Sequence, residues 1–155
     1  MLQRIQTIYL LLTVILISLM FFLPIAGLQN VQNAVIYELN YKGLFELNAS
    51  GNALAAHVWM LTALMLIIPL LALVTIFLFK KRFLQIRLVI FNIVLMAGYY
   101  GMLFIYLWQY GKSLSAKLFL EIPSAFPLVC IILNILAVRA IAKDEALIRS
   151  LNRLR

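Results

Sequence analysis

The sequence predicts an all-α membrane protein: a four-transmembrane-helix bundle with a small outer β-hairpin in its first outer loop and a C-terminal cytoplasmic amphipathic helix. Three observations lead there. Of the 155 residues, 66% are hydrophobic and 12% charged, whereas soluble domains run at about 45–50% apolar and about 25% charged. Too few polar side chains remain to cover a water-soluble core of that size. Four apolar runs fall at 5–23, 55–79, 88–108 and 122–138, close to the roughly 17–25 residues that a spanning helix needs. The basic residues gather between and beyond these runs, as the positive-inside rule requires of cytoplasmic turns. One membrane domain, 1–155, accounts for the whole length.

The first run follows a basic start at Arg4 and holds no charge as far as Leu23. Nineteen such residues make a helix of about 28 Å, near the hydrocarbon thickness. A signal peptide has the same plan, but this run exceeds an apolar region of about 7–15 residues, and Pro24-Ile25-Ala26-Gly27 is a poor cleavage site. The run is therefore read as a transmembrane helix that Pro24 ends or kinks.

Residues 28–54 form the first outer loop. Val35 to Lys42 alternates, with Val35, Tyr37, Leu39 and Tyr41 on one side and Glu38, Asn40 and Lys42 on the other. Period two with aromatic and β-branched content reads as a half-buried strand. Gly43 is the turn residue and Leu44-Phe45-Glu46-Leu47 the returning strand. The rival reading of this segment is an interfacial helix with its aromatics at headgroup level.

The second run opens at His57-Val58-Trp59, where an interfacial tryptophan belongs, and carries Pro69 mid-span, which lipid-embedded helices tolerate. Next comes the basic hinge 80–87, with Lys80, Lys81, Arg82 and Arg87 and no acid. In the third run Ala97 and Gly101 share a helix face and Gly98 lies beside them, a small-residue spacing that admits close helix packing. Asn92 is its one strongly polar interior residue. Residues 109–121 make a second outer loop. The fourth run begins at Pro123 and Pro127, in first-turn positions where a missing donor costs least, and holds Asn134.

The tail, 139–155, shows an apolar face at Ile141, Ile148 and Leu151, and either continues the fourth span or lies in the headgroup plane. The inner pieces carry Arg4, Lys80, Lys81, Arg82, Arg87, Arg139, Lys143, Arg149, Arg153 and Arg155, whereas the outer loops carry Lys42, Lys112 and Lys117. That bias sets both termini on the cytoplasmic side of the membrane.

No catalytic constellation emerges. Asp144 and Glu145 are adjacent, so they face different ways on a helix and read as exposed charges on the tail. His57, the only histidine, lacks the cysteine or carboxylate partners that a zinc site needs and reads as an interfacial anchor. Cys130 reads as a packing residue. No phosphate-binding glycine loop occurs. No enzyme, no cofactor and no metal are therefore expected, and no nucleic acid either, because the net charge of +8 is placed by topology. Asn92 and Asn134 are the informative polar residues. Either they meet in an interhelical hydrogen bond or they line a ligand path.

The start Met1-Leu2-Gln3-Arg4-Ile5-Gln6-Thr7-Ile8-Tyr9-Leu10, the central Leu84-Gln85-Ile86-Arg87 and the close from Arg139 to Ser150 with Arg153-Leu154-Arg155 resemble a family of small bacterial inner-membrane proteins, typical of Bacteroidota, known as a domain of unknown function. The resemblance implies four spans and an inner-membrane address, and supplies no activity. The plan of four spans with a strand-bearing first outer loop is also similar to that of the claudins, although this loop has no cysteine.

The function expected on these grounds is that of a non-enzymatic accessory or scaffold subunit of a membrane assembly. Asn92, Ala97, Gly98, Gly101 and Asn134 would pack the helices. The basic face, Lys80 to Arg87 with Arg139 to Arg155, would meet anionic lipid headgroups and a membrane-protein partner. The alternative is a homo-oligomeric, uncoupled carrier of a small molecule or lipid.

Overall fold

The computed structural model of the protein describes residues 3–30, 35–48, 51–78 and 81–153. In chain order these form α1 (Gln3–Leu19), β1 (Ala26–Asn30), β2 (Val35–Asn40), β3 (Gly43–Asn48), β4 (Gly51–His57), α2 (Trp59–Phe77), α3 (Arg82–Ser113), β5 (Ala116–Leu120), a 3₁₀ turn (Ile122–Ala125) and α4 (Phe126–Arg153). The expectation of an all-α protein is therefore wrong. The five strands build one antiparallel sheet in the order β4-β3-β2-β1-β5, and the fold mixes helices and sheet.

The count of four spans is corrected too. Three segments, Trp59–Phe77, Arg82–Ser113 and Ile122–Ala146, are long and apolar enough to cross a membrane. The apolar part of α1, Ile5–Leu19, is shorter. The chain leaves the helix in turns at Met20 to Phe22 and then enters β1 at Ala26, so the residues expected to finish the span belong to the approach to the sheet.

The hairpin expected from the alternating stretch is β2–β3, with Glu38 opposite Phe45 and Leu39 opposite Leu44. Leu39 and Leu44 are buried, and Tyr37 and Tyr41 pack on the same core. What is added is the rest of the sheet. β4 takes up 51–57, which joins the end of the first outer loop to the first three residues of the run read as the second span. β1 pairs with both β2 and β5, and β5 comes from the second loop, so two loops remote in sequence are joined. Four of the five strands come from the segment between α1 and α2, and the fifth from the segment between α3 and α4.

Two glycines sit where strands approach closely. A Cβ at Gly27 would overlap the ring of Phe119, its neighbour across the β1–β5 pair. A Cβ at Gly43 would overlap the backbone oxygen of Ala56. At Gly43 the obstacle is backbone, so only hydrogen fits there.

In the helical part, α1 packs against α4 and α2, and α3 against α2 and α4. The inward face of α3 is Gln85, Val89, Asn92, Met96, Tyr99, Leu103 and Leu107, steps of three or four that make a seam along one side of a helix. Chain connectivity puts the sheet at one end of the helices, since each is joined to a strand or to the 3₁₀ turn there. At the other end, Leu10, Val89, Ala137 and Ile141 form a separate small core.

The basic hinge is shorter than expected. α3 already begins at Arg82, so Arg82 and Arg87 stand on its first turns, and the guanidinium of Arg87 lies 4.4 Å from the centre of the Phe83 ring. The tail is no separate helix, because α4 runs without a break to Arg153. Lys80 and Arg155 lie outside the described residues, as do the side chains of Arg149 and Arg153.

Candidate functional site

Two sets of polar side chains distinguish the molecule from an inert apolar frame. The first joins the sheet to the helices. The Thr62 hydroxyl at the start of α2 donates to the Tyr41 carbonyl at the β2–β3 turn. Asn30 Nδ2 donates to the Leu114 carbonyl at 2.9 Å, tying β1 to the end of α3. The Tyr100 hydroxyl donates to the Ser124 carbonyl at 2.8 Å and accepts from the Leu128 N–H at 2.9 Å. That second bond satisfies an amide in the first turn of α4, which has no partner of its own in the helix. The structure thus makes Tyr100 the cap of a neighbouring helix.

The second set lies between the helices. Asn92 is 1% exposed, and neither atom of its amide meets a hydrogen-bond partner among the described residues. Asn134 Nδ2 donates back to the Cys130 carbonyl at 2.8 Å and approaches the sulfur of Met96 at 3.7 Å, whereas its Oδ1 is unpartnered. The hydroxyl of Tyr99, two turns along from Asn92 on the same seam, is unpartnered as well. The two asparagines therefore do not bond to each other. Cys130 is buried beside them, with its thiol 3.9 Å from the Thr13 carbonyl.

Nearer the basic end, Gln6 Nε2 donates to Asp144 Oδ2 at 2.6 Å and joins α1 to α4 across 138 residues of sequence. Asp144 is 8% exposed, so its expected role as a surface charge is overturned. The reason is helical phase. Cys130, Asn134, Ala137 and Ile141 follow steps of four, three and four down the buried face of α4, and a further three reach Asp144. Gln85 Nε2, also buried, donates to the Thr75 carbonyl at 3.3 Å and links α3 to α2.

The remaining residues singled out from sequence are placed as follows. Ala97, Gly98 and Gly101 lie on the outward face of α3, opposite its seam, and a Cβ built at either glycine would meet nothing within 4 Å. The structure does not bring them against another helix of the chain. Lys81, Arg87, Arg139 and Lys143 are exposed, and one guanidinium nitrogen of Arg82 is buried with no partner among the described residues. His57 is exposed beside Lys42 and Trp59 in an open groove of about 590 Å³ at the junction of sheet and α2. Among the described residues no cluster of histidine, cysteine and acidic side chains is arranged to hold a metal ion.

No curated protein matches the chain. A family model does, over residues 2–154, and on that match the chain belongs to the family described as Domain of unknown function (DUF4293).

Proposed function

We propose that the protein is a non-enzymatic accessory or scaffold subunit of an assembly in the bacterial inner membrane. The observation that carries this reading is the outward face of α3. Ala97, Gly98 and Gly101 make a smooth strip on a span with no helix of the chain upon it. In lipid, association rests on close van der Waals packing, and small residues are what permit it. The sheet adds a second contact surface, because β4 and β5 are its two outer strands and an unpaired strand edge accepts another chain. The basic start of α3 and the basic end of α4 support a cytoplasmic placement for that end of the molecule. The Gln6–Asp144 bond holds the start of α1 against the last third of α4, which supports a common side for both termini. Anionic headgroups are the lipid partners of this basic end.

Extraction in mild detergent tests the reading. A stoichiometric protein neighbour should be recovered with the wild type and lost with Gly101→Leu. Recovery of the protein alone from both would overturn it.

A second reading, a homo-oligomeric uncoupled carrier, is favoured by one observation, the unsatisfied amide of Asn92. A polar path would let a water-soluble thiol reagent reach Asn92→Cys in a Cys130→Ala background. An unreactive thiol there removes this reading.

A further inference from the structure

At the sheet end of α2 the chain builds a groove with two different ends. Its wall is a stripe of α2, Trp59, Ala63, Leu66 and Ile67, and its head is formed by Lys42 from the β2–β3 turn and His57 from the end of β4. The stripe follows steps of four, three and one, so it lies on a single helix face and runs about 12 Å along the axis. That face belongs to a segment long and apolar enough to span a membrane, and Trp59, 67% exposed, marks its interfacial end.

The head of the groove is held in place. The Thr62 hydroxyl bonds the Tyr41 carbonyl, one residue from Lys42, and Gly43 lies directly against the Ala56 backbone, one residue from His57. The Lys42 ammonium sits 5.4 Å from the centre of the Tyr41 ring. No carboxylate lines the groove among the described residues, so its cationic end is not neutralised from within. At about 590 Å³ it falls in the size range of small-ligand pockets, about 300–1,000 Å³.

We infer that this groove is a binding site for an anionic phospholipid of the leaflet on the sheet side. The acyl chain lies along Ala63, Leu66 and Ile67, and the headgroup phosphate is met by the Lys42 ammonium and an imidazole N–H of His57. The inference rests on α2 crossing the membrane and is independent of the accessory-subunit reading. It is also distinct from the expected lipid contacts of the basic face, which lie at the opposite end of the helices.

The charge complementarity can be read directly from Trp59. The chain has two tryptophans, so Trp108→Phe leaves Trp59 as the only indole. This variant is reconstituted in phosphatidylcholine vesicles containing a small, equal fraction of either acyl-brominated phosphatidylglycerol or acyl-brominated phosphatidylcholine. Brominated phosphatidylglycerol should quench Trp59 with an apparent affinity about fivefold higher, the size of one basic residue's attraction for an anionic surface. Lys42→Gln should abolish the preference and Lys42→Arg should keep it. Ala63→Phe, which fills the groove without changing its charge, should reduce quenching by the brominated phosphatidylglycerol. Equal quenching by the two headgroups in the Trp108→Phe protein, or a preference that survives Lys42→Gln, overturns the inference.

Discussion

The sheet end and the helix interior use polar groups in opposite ways. At the sheet end the hydroxyls of Thr62 and Tyr100 and the amide of Asn30 each reach a backbone group on another element. These bonds lock sheet to helices, and the close approach of the Ala56 backbone to Gly43 sets how near those strands come. In the helix interior the Asn92 amide, the Tyr99 hydroxyl and one side of the Asn134 amide have no partner among the described residues. A buried polar group costs about 1–3 kcal/mol when left unbonded. The first region is therefore stabilised by its polar and steric details, whereas the second is stable in spite of some of them. Substitutions toward larger or more apolar residues should then act with opposite sign in the two places.

The largest effect is expected at Gly43. A methyl group there meets the Ala56 carbonyl, which is backbone and cannot swing aside, with Leu54 close behind. Gly43→Ala should cost about 2–3 kcal/mol, the upper part of the usual cost of overpacking, measured by titration with sodium dodecyl sulfate in mixed micelles and followed by circular dichroism. Gly27→Ala is the internal comparison. Its obstacle is the partly exposed Phe119 ring, which can turn away, so the loss should stay below about 1 kcal/mol. Equal losses at the two glycines would show that strand approach at Gly43 is not rigid.

The Gln6–Asp144 pair, like the Gln85 bond to the Thr75 carbonyl, is a place in the helix interior that behaves like the sheet end. Gln6→Leu leaves a buried carboxyl group without its amide donor, which should cost about 2 kcal/mol. The double variant Gln6→Leu with Asp144→Leu should recover most of that, because replacing both partners by apolar groups is nearly neutral. The coupling energy from the double-mutant cycle measures the bond in its own setting. A coupling near zero would place Asp144 with the unsatisfied groups instead.

How far the sequence shows this contrast depends on the range of each signal. The β2–β3 hairpin was legible because Val35, Tyr37, Leu39 and Tyr41 carry its period locally. β1 and β5 were not. Ala26 to Asn30 is buried at four of five positions rather than alternating, and its partner strand Ala116–Leu120 lies about ninety residues away, so neither announces its pairing. β4 holds Ala53, Ala55 and Ala56, residues with little strand preference, and blends into the apolar run that follows.

The burial of Asn92 and Asn134 was legible from their place inside the runs, but not their failure to bond, which depends on the relative height of α3 and α4. Asp144 could have been found by extending the buried phase of α4 from Ile141. The abundance of charge around it pointed instead to the surface. Ala97, Gly98 and Gly101 showed a smooth helix face, yet nothing in their spacing says which way that face turns.

Asn92→Leu probes the unsatisfied interior and should stabilise the protein by about 1 kcal/mol, since it removes two unpartnered atoms and adds apolar contact. Asn134→Leu should be close to neutral. It removes one unpartnered oxygen but also the bond to the Cys130 carbonyl. The difference between the two variants reflects that bond together with the second unpartnered atom at Asn92. A destabilised Asn92→Leu protein would mean that the amide is satisfied in the membrane, and the contrast between the two regions would narrow.

The smallest effect returns to the sheet end, at a residue that departs from its economy. Ser115, between α3 and β5, has φ of 47°, the left-handed region that costs an L-residue roughly 1–2 kcal/mol. The turn holds it there because its N–H bonds the Lys112 carbonyl at 3.4 Å while β5 must reverse to pair with β1. Ser115→Gly relieves the strain but adds freedom to the unfolded chain, which offsets roughly 0.5–1 kcal/mol. The net gain should be about 0.5 kcal/mol in the same titration. Ser115→Val, whose branched Cβ is worse placed at this φ, should lose stability. If glycine and valine had the same effect, the positive φ would not be a strained feature of the folded protein, and the turn into β5 would owe its shape to the pairing with β1 alone.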